Sequence, residues 1–205
     1  MERALRVPDL AAPGGLALRP WRPSDLDLVR EAADDPYIPL VTTVPSPYSE
    51  AEGRAFVERQ WERAASGTGC PFVLVDPGGR PVGTVGLWPD GEEATLGYWV
   101  VASARGRGAA AGLAAVADWA LSELGLPRLL LHVEPWNTAS VRVAERAGFR
   151  REGMLEGWLR IGDERRDVLV FARSGPAGKT ARRTSPARRP DTSRAPGHDR
   201  ATGMH

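Results

Sequence analysis

Six consecutive residues, Arg105-Gly106-Arg107-Gly108-Ala109-Ala110, have the make-up of an anion-holding loop. Glycine lets a backbone turn through positive φ and approach a bulky ligand closely, and two arginines add charge toward phosphate oxygens. Where a helix starts beyond such a loop, its first N–H groups are unpaired and stand at the positive end of the helix dipole, which makes a seat for a phosphate or pyrophosphate. Further along, Asn137 and Ser140 stand three apart, so an amide and a hydroxyl share the first turn of any helix that begins there. Glu92 and Glu93 precede the loop, and His132 interrupts an apolar stretch between the loop and Asn137. Nothing suits a metal: Cys70 is the single cysteine, read as a small buried residue, and His198 and His205 have no ligand spacing.

Periodicity supplies the elements that would position these residues. Residues 94–101 read as a strand, and Leu113, Val116, Ala117, Ala120 and Leu124 mark the inward stripe of a helix, so the loop joins a strand to a helix start. Gly125 and Pro127 end that helix, and residues 128–134 form a second apolar strand. Strand, helix and strand imply a parallel crossover, with the ligand at the carboxyl end of the first strand. Asn137 or Thr138 caps a further helix that stops at Gly148, after which residues 149–159 and 166–172 close as a hairpin.

Upstream, Leu16 and Leu18 alternate with polar or small neighbours in a short strand, and Ser24 is expected to cap a helix running to about Asp34, with Leu26 and Val29 inward. Pro36, Pro39, Pro45 and Pro47 mark an extended connection beside a candidate substrate cleft. Ser49 and Glu52 form a capping box for a helix with Phe56, Val57 and Trp61 inward. Residues 72–75, 81–88 and 94–101 make an antiparallel meander. Residues 1–14 read as a flexible leader, 15–173 as the domain, and 174–205, rich in Pro, Gly, Ser, Thr and Arg, as a disordered basic tail.

A chain of 205 residues, 42% hydrophobic, holds one domain with a real core. Its net charge of +1 hides a split, +5 from Ser174 onward and −4 before it. The domain therefore lacks the basic face of a nucleic-acid reader, and nucleic acid is disfavoured as a partner. The first fifteen residues lack the apolar core of a signal peptide, and the apolar run 108–126 is broken by Asp118, Ser122 and Glu123. A cytoplasmic protein with no membrane partner is expected, as a monomer or homodimer.

With these elements placed, the chain resembles the GNAT superfamily of acyl-CoA-dependent N-acetyltransferases, and within it the branch of ribosomal-protein N-terminal alanine and serine acetyltransferases. The signature [Q/R]-x-x-G-x-[G/A] is read at Arg105, Gly108 and Ala110. Gly97-Tyr98-Trp99, Asn137-x-x-Ser140, Ala147-Gly148-Phe149 and the closing run from Trp158 to Asp167 add to it. The resemblance implies an α/β fold with a mixed, mainly antiparallel sheet, flanking helices and a splayed parallel strand pair. It implies acetyl-CoA as co-substrate and no metal. Its pyrophosphate would lie on the backbone of Arg105, Gly106, Arg107, Gly108, Ala109 and Ala110, and its pantetheine against Trp99, Val100, Val101 and Asn137. Ser140 would hydrogen-bond the departing thiolate.

Two positions depart from that pattern. Relatives carry a tyrosine where this chain has Ala144, and a glutamate where it has Thr95; Glu93, two residues back on the same strand face, is the candidate general base. Trp99 and Trp136 are expected to line the cofactor groove, Trp61 and Trp119 to fill the core, and His132 to sit at the core edge or serve as a proton relay. A site with a displaced base copes best with an amine that is already partly neutral. The expected reaction is acetyl transfer to a primary amine, a protein N-terminus or a small-molecule amine, by direct attack in a ternary complex. The alternative is a catalytically silent CoA-binding or interaction module.

Overall fold

The computed structural model describes residues 6–175, so the tail expected from 174 falls almost entirely outside the described residues, as do the first five positions. Eight strands form one sheet in the order β1-β2-β3-β4-β5-β6-β8-β7. They are β1 (Leu10–Ala12), β2 (Leu16–Arg19), β3 (Cys70–Val75), β4 (Pro81–Asp90), β5 (Glu93–Val100), β6 (Arg128–Val133), β7 (Arg150–Ile161) and β8 (Glu164–Ser174). Five helices complete it: α1 (Leu26–Ala33), α2 (Ile38–Val41), α3 (Glu50–Ser66), α4 (Ala109–Ser122) and α5 (Thr138–Arg146). Every neighbouring pair is antiparallel except β5 and β6. The fold is the expected mixed, mainly antiparallel α/β architecture. Among the described residues no helix is long and apolar enough to cross a membrane.

Strand alternation sorts the side chains onto two faces. Phe72, Val85 and Tyr98 stand in cross-strand register, and Phe72 meets Trp119 of α4 at 5.4 Å between ring centroids, so this face is the one covered by α4. Leu113, Val116, Ala117 and Ala120 are fully buried there, each large side chain contributing about 1.5–3 kcal/mol. Val73, Thr84 and Trp99 stand in register on the opposite face. There Trp99 lies 6.4 Å from Trp21, which in turn packs edge-on against Phe56 of α3 at 5.3 Å.

The parallel pair is short. It runs from Glu93–Arg128 to Leu96–Leu131, while β5 continues to Val100 along β4 and β6 to Val133 along β8 without pairing further with each other. The two strands therefore part where the loop residues and Asn137 approach.

Local departures from the sequence expectations have identifiable causes. The leader is not loose throughout: Leu10–Ala12 pair with Leu16–Leu18 across a turn in which Gly14 and Gly15 take φ of 80° and 74°, a conformation open to glycine. Ser24 does not cap α1. The carboxylate of Asp25, 1% exposed, takes the Arg22 N–H at 2.7 Å and both guanidinium arms of Arg19 at 2.8 and 2.7 Å, which fixes the chain entry. Trp61 is not core but 42% exposed, because the buried stripe of α3 is Gly53, Phe56, Val57 and Gln60; its indole N–H donates to the Trp21 carbonyl at 2.9 Å. Leu124 lies beyond the end of α4 and is exposed. Ser49 caps α3 as expected, accepting from the Glu52 N–H at 3.2 Å.

Candidate functional site

A cavity of about 650 Å³ begins at Arg105, Gly106 and Ala109 and passes the gap between β5 and β6. It opens on the other face among residues of α2, α3 and the strand ends. Tyr98, Asn137, Ala139 and Ser140 line its α4 side, and Trp88, Gly97, Trp99, His132 and Glu134 line its α3 side. A through-sheet passage of this kind lets a long ligand enter on one face and present its end on the other.

The loop leaves backbone donors free at a helix start. Gly106 and Gly108 take φ of 79° and 85°, and Gly108 is the N-cap of α4 without any side-chain cap. The N–H groups of Gly106, Gly108, Ala109 and Ala110 meet no protein acceptor among the described residues. Two members behave differently from expectation. The Arg107 N–H is committed to the Ala104 carbonyl at 3.2 Å, so it is not a free donor, and the Arg107 side chain is exposed. Arg105 ion-pairs with Asp35, whose carboxylate is 2% exposed while the guanidinium is 61% exposed. The other oxygen of Asp35 accepts from the N–H groups of Tyr37 and Ile38 at 2.9 and 3.0 Å, so the loop is tied to the start of α2.

Strand alternation decides which backbone groups face the gap. The Val101 N–H donates to Val82 at 3.0 Å, and a Cβ on Gly83 would stand 2.3 Å from the Trp99 carbonyl oxygen. Backbone groups of Trp99 and Val101 therefore point at β4. Those of Tyr98 and Val100 point the other way, into the gap. Trp99 and Val100 line the cavity, whereas Val101 is fully buried away from it. Asn137 caps α5, its Oδ1 accepting from the Ser140 N–H at 3.0 Å, and it also lines the cavity.

Ser140 has a partner that sequence reasoning missed. The Tyr98 hydroxyl donates to Ser140 Oγ at 3.0 Å across the gap, and burial raises the Tyr98 pKa while the serine contact lowers it. At the position where relatives place a tyrosine, Ala144 is fully buried. A tyrosine thus reaches the serine from the strand instead of from the helix. The motif Gly97-Tyr98-Trp99 contained the signal, but its face could not be read without the register.

Glu93 does not reach the site. It stands at the start of β5, 42% exposed, 3.4 Å from Arg128, outside the cavity lining. Two carboxylates do line the cavity, Asp35, already engaged by Arg105, and Glu134, just past the end of β6 and 4% exposed. Glu134 accepts from the Tyr37 hydroxyl and, at 3.4 Å, from Arg166; burial and this carboxylate raise the Tyr37 pKa. His132 beside it stacks on Trp158 at 4.3 Å, its buried Nδ1 meeting no partner among the described residues, and burial lowers its pKa to about 4. Trp88 lies over Gly86 and Gly97, where a Cβ would meet its ring at 2.3 and 3.1 Å, and forms one wall. Trp136 is 59% exposed and packs edge-on against Tyr37 at 5.1 Å. Trp119, by contrast, packs on the core as expected. No three His, Cys, Asp or Glu side chains converge among the described residues.

Comparison with known proteins places this geometry. The model of the acetyltransferase (GNAT) domain matches residues 16–150. The uncharacterized N-acetyltransferase p20 of Bacillus licheniformis is 24% identical over 163 residues, which are 77% of this chain and 91% of that protein. The structure of Mycobacterium smegmatis RimJ in complex with CoA-disulfide is 29% identical, with a TM-score of 0.69 over 82% of this chain and 86% of that one. An acetyltransferase of the GNAT family from Bacillus anthracis shares the fold, with a TM-score of 0.70, 23% identity and coverage of 82% and 98%.

Proposed function

We propose, since this chain belongs to the GNAT acetyltransferase family and is an acetyl-CoA-dependent acetyltransferase, that its acceptor is a low-pKa α-amine, of a peptide N-terminus or a small molecule. The observation that carries this reading is the cavity that runs through the sheet from the glycine loop to Glu134. Acetyl-CoA supplies the activated acyl thioester; the chain's part is to seat it, align the amine and manage two protons.

The seat fits. Free N–H groups of Gly106, Gly108, Ala109 and Ala110 suit the pyrophosphate, and the gap-facing backbone of Tyr98 and Val100 suits an extended pantetheine arm added like a strand. The Val100 N–H is then placed to stabilise charge growing on the thioester oxygen. The amine nitrogen bonds to the acetyl carbon as the carbon–sulfur bond breaks. Ser140 Oγ gives its proton to the leaving sulfur, and the Tyr98 hydroxyl, 3.0 Å away, restores it; the proton shed by the acylated nitrogen passes to solvent water, which returns one to the Tyr98 phenolate.

The second proton selects the amine. Neutral His132, with a pKa of about 4, is a poor acceptor for an ammonium proton, and Glu134 is engaged by Tyr37 and Arg166. An α-amine of pKa about 8 is about a tenth neutral at pH 7, a deficit of about 1.4 kcal/mol, whereas a lysine amine of pKa about 10.4 carries about 4.6 kcal/mol. A site with no uncommitted carboxylate favours the first. The silent-module alternative rests on the absent tyrosine at position 144 and the displaced base; the Tyr98–Ser140 pair offers a proton donor in place of the first, and an acceptor that is already partly neutral lessens the need for the second.

The test is thiol release from acetyl-CoA with N-terminal peptides, N-blocked peptides carrying an internal lysine, and small α-amines. Turnover is expected with free α-amines and not with the N-blocked lysine peptides. Acetylation confined to internal lysines sinks the reading.

A further inference from the structure

The α3 side of the cavity holds a cation with no counter-ion. Four charged residues line the cavity: Asp35, Arg63, Arg105 and Glu134. Asp35 pairs with Arg105, and Glu134 takes Arg166 and Tyr37. Arg63 is left. Its guanidinium donates to two neutral groups, Gln60 Oε1 at 2.9 Å and Thr43 Oγ1 at 3.4 Å, and pairs with no acid among the described residues. Arg59, one turn earlier on α3, donates to the Thr43 carbonyl at 3.3 Å, so a second positive charge stands beside it. Burial and that neighbour both lower the Arg63 pKa, the sign expected of a cation short of an anion.

A half-buried guanidinium holding spare donors against neutral partners is a receptor for a planar oxyanion. The anion is not a phosphate of the cofactor. The glycine loop lies at the N-terminus of α4, on the opposite face of the sheet from α3. Arg63 therefore stands on the acceptor side, in the same cavity as the Glu134 carboxylate.

Resting on the reading of an α-amine acceptor, we propose that the acceptor carries a carboxylate which pairs with Arg63, so that the substrate class is an amino-carboxylate. Two sources share this chemistry: a free amino acid, through its α-carboxylate, and a peptide N-terminus with an acidic side chain. The cavity engages both ends of such a molecule, with the amine directed to the β5–β6 gap and the anion to α3.

The experiment measures kcat/KM for matched pairs with acetyl-CoA held saturating. One pair is a free amino acid against its amide; the other is a blocked-C-terminus tripeptide with Asp against Asn at its second position. In the wild-type chain the carboxylate member of at least one pair is preferred by about 10- to 100-fold, as for a lost charge-assisted bond, and the preferred pair tells which source applies. Arg63→Gln abolishes that preference while the KM for acetyl-CoA stays unchanged, and Arg63→Lys keeps part of it. The wild-type comparison needs no variant, so a misfolded Arg63→Gln leaves the idea exposed to refutation. Equal rates within both pairs, a preference that survives Arg63→Gln, or no turnover of any carboxylate member overturns the inference. Amides turned over at their α-amine without any carboxylate preference would leave the acceptor reading standing and remove only this one.

Discussion

Tyr98 and Ser140 are joined by a single hydrogen bond on which the proposed proton relay rests. The serine comes from the first turn of α5 and the tyrosine from β5, and 3.0 Å separates their oxygens. A serine alone is a weak acid for a departing thiolate; a phenol behind it supplies a proton of lower pKa. Tyr98→Phe is expected to lower kcat at least about tenfold while the KM for acetyl-CoA holds, because the ring packing stays and the proton goes. Ser140→Ala should cost as much or more, and the double variant less than the product of the two, as for groups acting in one chain. Steady-state kinetics decide it: additive losses would separate the two residues into independent roles. Glu93 and Glu134 teach the converse. Both are acids at strand ends, but Glu93 faces solvent beside Arg128 and Glu134 faces the cavity.

At the scale of elements, the glycines of the loop divide their work. Gly108 begins α4, and a Cβ there would stand 2.4 Å from Leu16 Cδ1, so its absence lets α4 press on β2. Gly106 also has positive φ, but a Cβ there meets nothing within 4 Å. The two therefore separate fold from ligand. Gly108→Val is expected to lower stability by about 2–3 kcal/mol through strain and the Leu16 clash, besides weakening CoA binding. Gly106→Val is expected to cost about 1–2 kcal/mol of strain and to weaken CoA binding, since Gly106 lines the cavity and its positive φ sets the loop's backbone. Thermal unfolding and calorimetric titration with CoA check both, and unchanged CoA affinity in both variants removes the loop from the cofactor site. The Asp35 carboxylate adds a second link between elements, since one oxygen holds Arg105 of the loop and the other accepts from the Tyr37 and Ile38 N–H groups where α2 starts.

Across the whole molecule, His132 couples the site to global stability. It is half-buried on β6 against Trp158, with a pKa lowered to about 4 from an ordinary 6.5. Between these values the unfolded chain binds a proton that the native chain excludes, so this residue's contribution falls as pH drops from about 6.5 to about 4 and is intact above. The full loss is about 3 kcal/mol. His132→Phe retains a stacked ring without the proton, and its urea-unfolding free energy is expected to fall less than that of the wild type between pH 7 and pH 4.5. An equal fall in both chains would clear His132 of the effect.

The sequence by itself determined the elements and the glycine loop that joins β5 to α4. Alternation marked the meander, the stripe Leu113–Val116–Ala117–Ala120 marked α4, and glycines 106 and 108 marked the turn between strand and helix, because these are local consequences of period, φ and capping. It also led to the fold, since strand, helix and apolar strand in succession leave few connections open. What it could not hold was anything set by register between distant strands. Leu10–Ala12 join the sheet because β2 is there to pair with them, not because their own sequence demands it. Only the tertiary structure turned Tyr98 toward Ser140, Glu134 and Arg63 into one cavity, and Glu93 and Val101 out of it. A strand's pattern says that neighbours point to opposite faces; which face meets the substrate is decided by the partner strands and by where β5 and β6 part.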